Sequence, residues 1–110
     1  MTNKVILLGN LGNTPEVKTL TNGQQLAKFS LATNEYRTNA KGERSTDTQW
    51  HSIIVWGKLA GVAQKYLQKG SEVLVEGKLQ YTSYTDKEGV KRYSTEINVS
   101  EFKMVGAKAA

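Results

Sequence analysis

Apolar and polar positions alternate along most of this chain, and the alternation is interrupted once by a stretch at helical spacing. Lys4 to Gly9 reads as a short apolar strand, ended by Gly9-Asn10 and Gly12-Asn13 ahead of Pro15, the only proline. Val17 to Leu20 and Leu26 to Thr33 flank Thr21-Asn22-Gly23, which predicts a hairpin because Asn and Gly both tolerate positive φ. In its second arm Ala27, Phe29 and Leu31 share one parity and Lys28 and Ser30 the other, the pattern of a half-buried strand. Asn34 to Asp47 is almost wholly polar around Tyr36 and Lys41-Gly42, which predicts a long mobile loop, either a binding segment or a solvated spacer. Thr48 to Trp56 then reads as a strand with Trp50 and Trp56 on one face and Ile53 and Val55 on the other. Both faces are apolar, so one fills a core and the other meets a ligand or a second subunit, unless both indoles are core.

Leu59, Val62, Ala63, Tyr66 and Leu67 form one apolar stripe at helical spacing, predicting a helix of about three turns with Tyr66 in the core. Gly70 falls where a left-handed C-terminal cap belongs, and Lys65 and Lys69 suit the negative end of the helix dipole. Glu72 to Tyr84 is a long strand with Val73, Val75, Leu79 and Tyr81 on its core face. Tyr84 lies on the polar face, as a surface tyrosine or a stacking platform. Asp86-Lys87-Glu88-Gly89 makes a turn, and Tyr93, Thr95, Ile97 and Val99 pair back, giving a long protruding hairpin. The parity change to Phe102 and Met104 predicts a bulge or the end of the strand after Ser100. The fold class is therefore all-β: a five-stranded Greek-key OB-fold barrel, with one α-helix between its third and fourth strands and a protruding hairpin of its last two. Residues 1–105 make the domain and 106–110 a short flexible end.

A chain of 110 residues supports one core and excludes a multidomain enzyme. Fifteen Lys plus Arg against ten Asp plus Glu leave +5, which permits a polyanionic partner, yet no uniformly positive block marks a disordered basic tail. Without cysteine there is no disulfide, thiolate zinc site or cysteine nucleophile, and a reducing compartment is compatible. The longest apolar run, Val5 to Leu8, is far below the roughly 18 residues of a membrane span, so a soluble, unexported protein is expected.

Catalytic groups are scarce. His51 is the only histidine, and no nearby Asp or Glu is spaced to orient it or complete a metal site. Gly9-Asn10-Leu11-Gly12 lacks the Gly-Lys-Ser/Thr ending of a phosphate loop and the helix of a dinucleotide fold, and reads as a turn. Neither an enzyme nor a cofactor or metal site is expected. What remains is dispersed aromatics among cations: Lys58, Lys65 and Lys69 near the helix, Arg37, Lys41 and Arg44 in the polar segment, and Lys87, Lys91 and Arg92 at the long hairpin. That combination suits single strands, whose exposed bases stack on aromatic rings while cations meet the phosphates.

Asn3-Lys4-Val5-Ile6-Leu7-Leu8-Gly9-Asn10-Leu11-Gly12 with Pro15-Glu16-Val17, then Leu31-Ala32-Thr33, Trp50-His51, Trp56-Gly57-Lys58-Leu59-Ala60, Tyr66-Leu67-Gln68-Lys69-Gly70 and Val75-Glu76-Gly77-Lys78-Leu79 occur in order. Through these segments the chain resembles the bacterial single-stranded DNA-binding protein family over nearly its whole length. The resemblance implies a barrel, usually a homotetramer, that wraps unpaired DNA in replication, recombination and repair without reading sequence, in the cytoplasm at the nucleoid. It implies stacking by Trp50, Trp56, Tyr84 and Tyr36, with Lys58 and Lys69 near phosphates and Arg37, Lys41, Lys87 and Arg92 assisting. Tyr36 and Tyr84 stand where many relatives have tryptophan, and Trp56 where many have phenylalanine. The first strand, with Lys4, Ile6 and Leu8, and the surroundings of His51 are implied subunit contacts. Family members usually continue into an acidic tip that recruits replication and repair proteins; this sequence stops at Gly106-Ala107-Lys108-Ala109-Ala110, as a trimmed core or a tailless paralogue would. Three other readings compete: a protein-docking barrel such as a primosome component, an RNA-binding barrel, and, more distantly, a small hydrolase.

Overall fold

The computed structural model describes residues 2–105, and the expected flexible end at 106–110 lies outside them. Six strands and one helix run in the order β1 (Val5–Leu11), β2 (Glu16–Thr19), β3 (Gln25–Thr38), β4 (Arg44–Trp56), α1 (Lys58–Tyr66), β5 (Glu72–Thr85) and β6 (Lys91–Met104). The sheet runs β1-β5-β6-β4-β3, and β3 returns to β1 through Asn10 opposite Ala32 and Leu11 opposite Leu31, closing a five-stranded OB-fold barrel. Closure leaves β2 as a short extra segment on the edge of β3 that β1 also uses. Every pairing is antiparallel except β4 with β6, where Ser52, Ile53 and Ile54 lie beside Glu96, Ile97 and Asn98.

Inside the barrel lie Ala27, Phe29, Leu31, Ile53, Val55, Val73, Val75, Ile97 and Val99, the residues of one parity that the strand patterns assign to the core. The helix packs on β3 and β4 through Ala60, Ala63 and Leu67, with Leu59 half-buried. Tyr66 is exposed, contrary to its expected place in the core, and so is Val62. The two alanines let the helix approach closely, so a narrow arc through 59, 60, 63 and 67 suffices and the larger side chains are left on its flank. The helix ends with Leu67 in an extended conformation, so Gly70 does not cap it. Gly70 (φ 90°) instead occupies the third position of a turn in which the Ser71 N–H donates to the Gln68 carbonyl.

The expected turn at Gly9-Asn10 is also corrected: β1 continues to Leu11 because it changes partners there from β5 to β3. Gly9 permits that crossing, since a Cβ there would overlap the Ala32 carbonyl. The larger correction concerns Asn34–Asp47, which is a ladder rather than a loop. β3 and β4 stay paired from Leu26 opposite Trp56 out to Thr38 opposite Arg44. Both faces of its outer half are solvated, so no apolar alternation advertises strands that backbone hydrogen bonds build. Beyond Leu79 and Ile97 the β5–β6 hairpin likewise leaves the barrel, which is why Tyr81 is exposed instead of core. The parity change after Ser100 is a bulge: Glu76 faces Glu101 and Gly77 faces Val99, while the Ser100 hydroxyl donates to the Glu76 carbonyl at 3.0 Å.

All three hairpins close alike. Leu20, Asn39 and Asp86 each donate their N–H to the residue four later and accept from a glycine three later, Gly23, Gly42 or Gly89, with φ 80–85°. This is a three-residue loop with a left-handed glycine, so Asn22 needs no positive φ; its Oδ1 accepts from the Gln24 N–H. The two long ladders each extend about 20 Å past the barrel, at about 3.3 Å per residue. They raise the radius of gyration to 16.1 Å, against about 13 Å for a compact chain of this length.

Candidate nucleic-acid interface

Register decides which side chains share a surface. Residues opposite one another project to the same face, and β3–β4 and the outer β5–β6 ladder run without a slip. Across the outside of the barrel this gives Lys18, Leu26 and Trp56 in one row, and Glu16, Lys28, Ile54, Asn98 and Lys78 in the next. Ser30, Ser52, Glu96 and Gln80 form a third row, with Ala32 and Trp50 beside it. Along the ladders the same face continues to Tyr36 opposite Thr46 and to Tyr84 opposite Arg92. Tyr36, Trp50, Trp56 and Tyr84, spread over 48 positions of sequence, therefore stand on one side of one continuous sheet. They are 79, 63, 36 and 58% exposed. Neither indole is in the core.

Each ring has a local support. Trp50 lies against Gly12, and Asn13 fixes that turn by accepting from both the N–H and the hydroxyl of Ser30, each at 2.9 Å. Trp56 ends β4. Gly57 (φ 67°) turns the chain there and donates its N–H to the Gln25 carbonyl at 2.8 Å, and Lys58 begins the helix immediately beyond. Tyr36 and Tyr84 stand on the ladders, short of the turns that close them.

The cations are distributed less evenly than the aromatics. Lys58 is exposed beside Trp56, and Lys69, also exposed, donates its backbone N–H to the Thr14 hydroxyl. Lys41 and Lys87 are exposed in the two hairpin tips. Arg37 lies opposite Ser45 on the other face of its ladder from Tyr36, and its Nε is 2.6 Å from the Asp47 carboxylate. Arg92 shares a face with Tyr84, but its Nε donates to Asp86 Oδ2 at 3.0 Å. The Val90 N–H and then Arg92 hold the Asp86 carboxyl below its ordinary value. Sequence reading missed Lys18 and Lys28, which the β2–β3–β4 register brings onto the tryptophan face, with Glu16 tempering Lys28. The signal was present in the outward parity of Lys28 and in the hairpin that carries Lys18 back alongside.

Of the expected subunit contacts, Lys4, Ile6 and Leu8 share the outer side of β1 and are exposed, with Leu74 opposite Leu8. Lys4 pairs with Glu76, and that hydrogen bond raises the lysine pKa. His51 is on the opposite, inward parity, where the β3–β4 ladder leaves the barrel, and its Nε2 is 2.9 Å from the Thr33 hydroxyl. Among the described residues no three His, Asp or Glu side chains gather as a metal site would need, and no helix is long and apolar enough to cross a membrane.

Residues 2–105 match the model of the single-strand binding protein family. A single-stranded DNA-binding protein of Xanthomonas campestris is 45% identical over 106 residues, covering 96% of this chain and 62% of that protein. Single-stranded DNA-binding protein 1 of Chlorobaculum tepidum is 46% identical over 107 residues, covering 96% and 66%. The chain thus spans less than two thirds of the length of these curated relatives. Among solved structures, the SSB of Plasmodium falciparum in complex with ssDNA superposes with a TM-score of 0.88 at 32% identity, covering 96% of this chain and 97% of that one.

Proposed function

The chain belongs to the single-strand binding protein family, and from that premise we propose that it is a non-enzymatic module that binds unpaired DNA without reading its sequence. The observation that carries this reading is the gathering of Tyr36, Trp50, Trp56 and Tyr84 on one exposed face. Bases in a duplex are stacked on one another, whereas a single strand offers its π faces to such rings at about 1–3 kcal/mol per base. The four rings stack bases. Lys58, Lys69, Lys41 and Lys87 meet phosphates directly, whereas Arg37 and Arg92 do so in competition with Asp47 and Asp86. Stacking uses the π face that every base offers, so any unpaired sequence is accepted and protected wherever replication, recombination or repair exposes it. The setting that fits is the cytoplasmic nucleoid.

The exposed Ile6 and Leu8, with Leu74 across the ladder, support association of this face of β1 with further copies, in a homotetramer whose contacts include Lys4 and the surroundings of His51.

Titration with oligo-dT, followed by intrinsic tryptophan fluorescence at low and high salt, tests the DNA reading. Strong quenching that salt weakens and that a duplex control lacks supports it. Absence of quenching together with absence of a mobility shift sinks it, and matched RNA competing as well as DNA would widen the ligand class.

A further inference from the structure

The two faces of the β5–β6 ladder differ in charge, and the face opposite Tyr84 is the better suited to an anion. The Tyr84 face carries Arg92, engaged by Asp86, and Glu96 near its base. The other face carries Tyr81, Ser83, Thr85, Lys91, Tyr93 and Thr95, without a carboxylate. Tyr81 faces Thr95 and Tyr93 faces Ser83, so the two rings are diagonal neighbours across the ladder. They are 73 and 77% exposed although they share the parity of the core residues Leu79 and Ile97. Lys91 holds its ammonium 5.6 Å from the centre of the Tyr93 ring and, among the described residues, has no salt bridge. Barrel folding explains neither ring, since both stand beyond the core.

We infer that Tyr81, Tyr93 and Lys91 form a second base-stacking site for unpaired DNA, across which a strand bound at Tyr84 continues around the hairpin. The inference rests on the DNA-binding reading proposed above and extends its footprint to both faces of the ladder. Charge complementarity selects the occupant: two rings for bases, one cation for a phosphate and no acid to repel it. A second copy of the same face is the poorer fit, because it sets two cationic surfaces without a carboxylate against one another.

The test uses the full chain and a long oligo-dT, with Trp50 and Trp56 intact as reporters. The double variant Tyr81→Ala/Tyr93→Ala is expected to lose about 5- to 150-fold in affinity, the range for a single base stack. Tyr81→Phe/Tyr93→Phe is expected to stay within about twofold of the parent, since stacking needs the ring and not the hydroxyl. Parent-like binding by the alanine variant overturns the second site alone, as does equal loss in the phenylalanine variant. A change of sedimentation coefficient in the alanine variant with unaltered affinity also overturns it, assigning the face to a second copy. A parent protein that oligo-dT does not quench removes the underlying reading as well.

Discussion

The indole of Trp50 lies directly against the α-carbon of Gly12: a Cβ built at Gly12 would overlap Trp50 Cζ3 and sit 3.0 Å from Cη2, with the Ser30 hydroxyl at 2.6 Å. The turn after β1 therefore seats the ring that β4 presents from the far side of β3. Gly12→Ala is expected to displace the indole without unfolding the barrel, since the crowding is at the surface. Single-stranded DNA affinity should fall about 5- to 20-fold, in line with loss of part of one stack. Far-UV circular dichroism should be unaltered while the tryptophan emission of the free protein shifts. Parent-like affinity with a shifted emission would remove Trp50 from the binding face.

Trp56 is the least exposed of the four rings and stands beside Leu26, Lys18 and Lys58. Trp56→Ala is expected to cost about 1–3 kcal/mol of binding to oligo-dT. Trp56→Phe should keep most of it. Equilibrium titration of both variants distinguishes stacking from a merely structural role, in which thermal stability would fall and affinity would not.

Asp86 closes the long hairpin by accepting from the Glu88 and Val90 N–H groups at 3.0 and 2.9 Å, and it also holds Arg92. Asn39 makes the equivalent turn on the other ladder with an amide oxygen. Asp86→Asn should therefore keep the turn while releasing Arg92 beside Tyr84. The salt slope of single-strand binding is expected to steepen by about 0.7, one phosphate's share, with tighter binding at low salt. An unaltered slope would show that Arg92 does not reach the backbone.

The same aspartate sets a pH dependence. Its folded pKa is depressed below the ordinary 3.8, so its support of the hairpin is fully present above that value and is lost as pH falls below it through the folded pKa. Amide exchange at Glu88 and Val90 should accelerate in that acidic window in the parent. In Asp86→Asn, which has no proton to bind there, it should not.

Ile6 and Leu8 project from the same side of β1 into solvent. Ile6→Asp/Leu8→Asp is expected to lower the sedimentation coefficient to that of a single chain while the circular dichroism of the barrel persists. A single-chain parent would instead leave this face without a subunit partner.

Alternation made the barrel legible wherever one side of a strand is buried, so Phe29, Leu31, Val55, Val73 and Val75 announced their strands and their core face together. The ladder built from Asn34–Thr38 and Arg44–Thr48 was illegible because water covers both of its faces and backbone bonds leave no mark on side-chain choice. Tyr66 and Tyr81 were misassigned for a related reason: periodicity gives a direction around an element, not the point at which the element leaves its neighbours. The four exposed rings were legible one at a time, chiefly through resemblance. That four rings share a side, and that Lys18 and Lys28 join them, depends on register between segments distant in sequence.

The pairing of β1 with β5 also governs when the molecule can assemble. Val5 meets Gly77 and Asn10 meets Glu72, partners more than sixty positions apart, and β4 meets β6 across more than forty. The β3–β4 hairpin is local and can form early, but β1 waits for β5 before its main edge is satisfied. Such closure places the rate of folding under the cost of long loops, in the millisecond-to-second range of non-local β topologies.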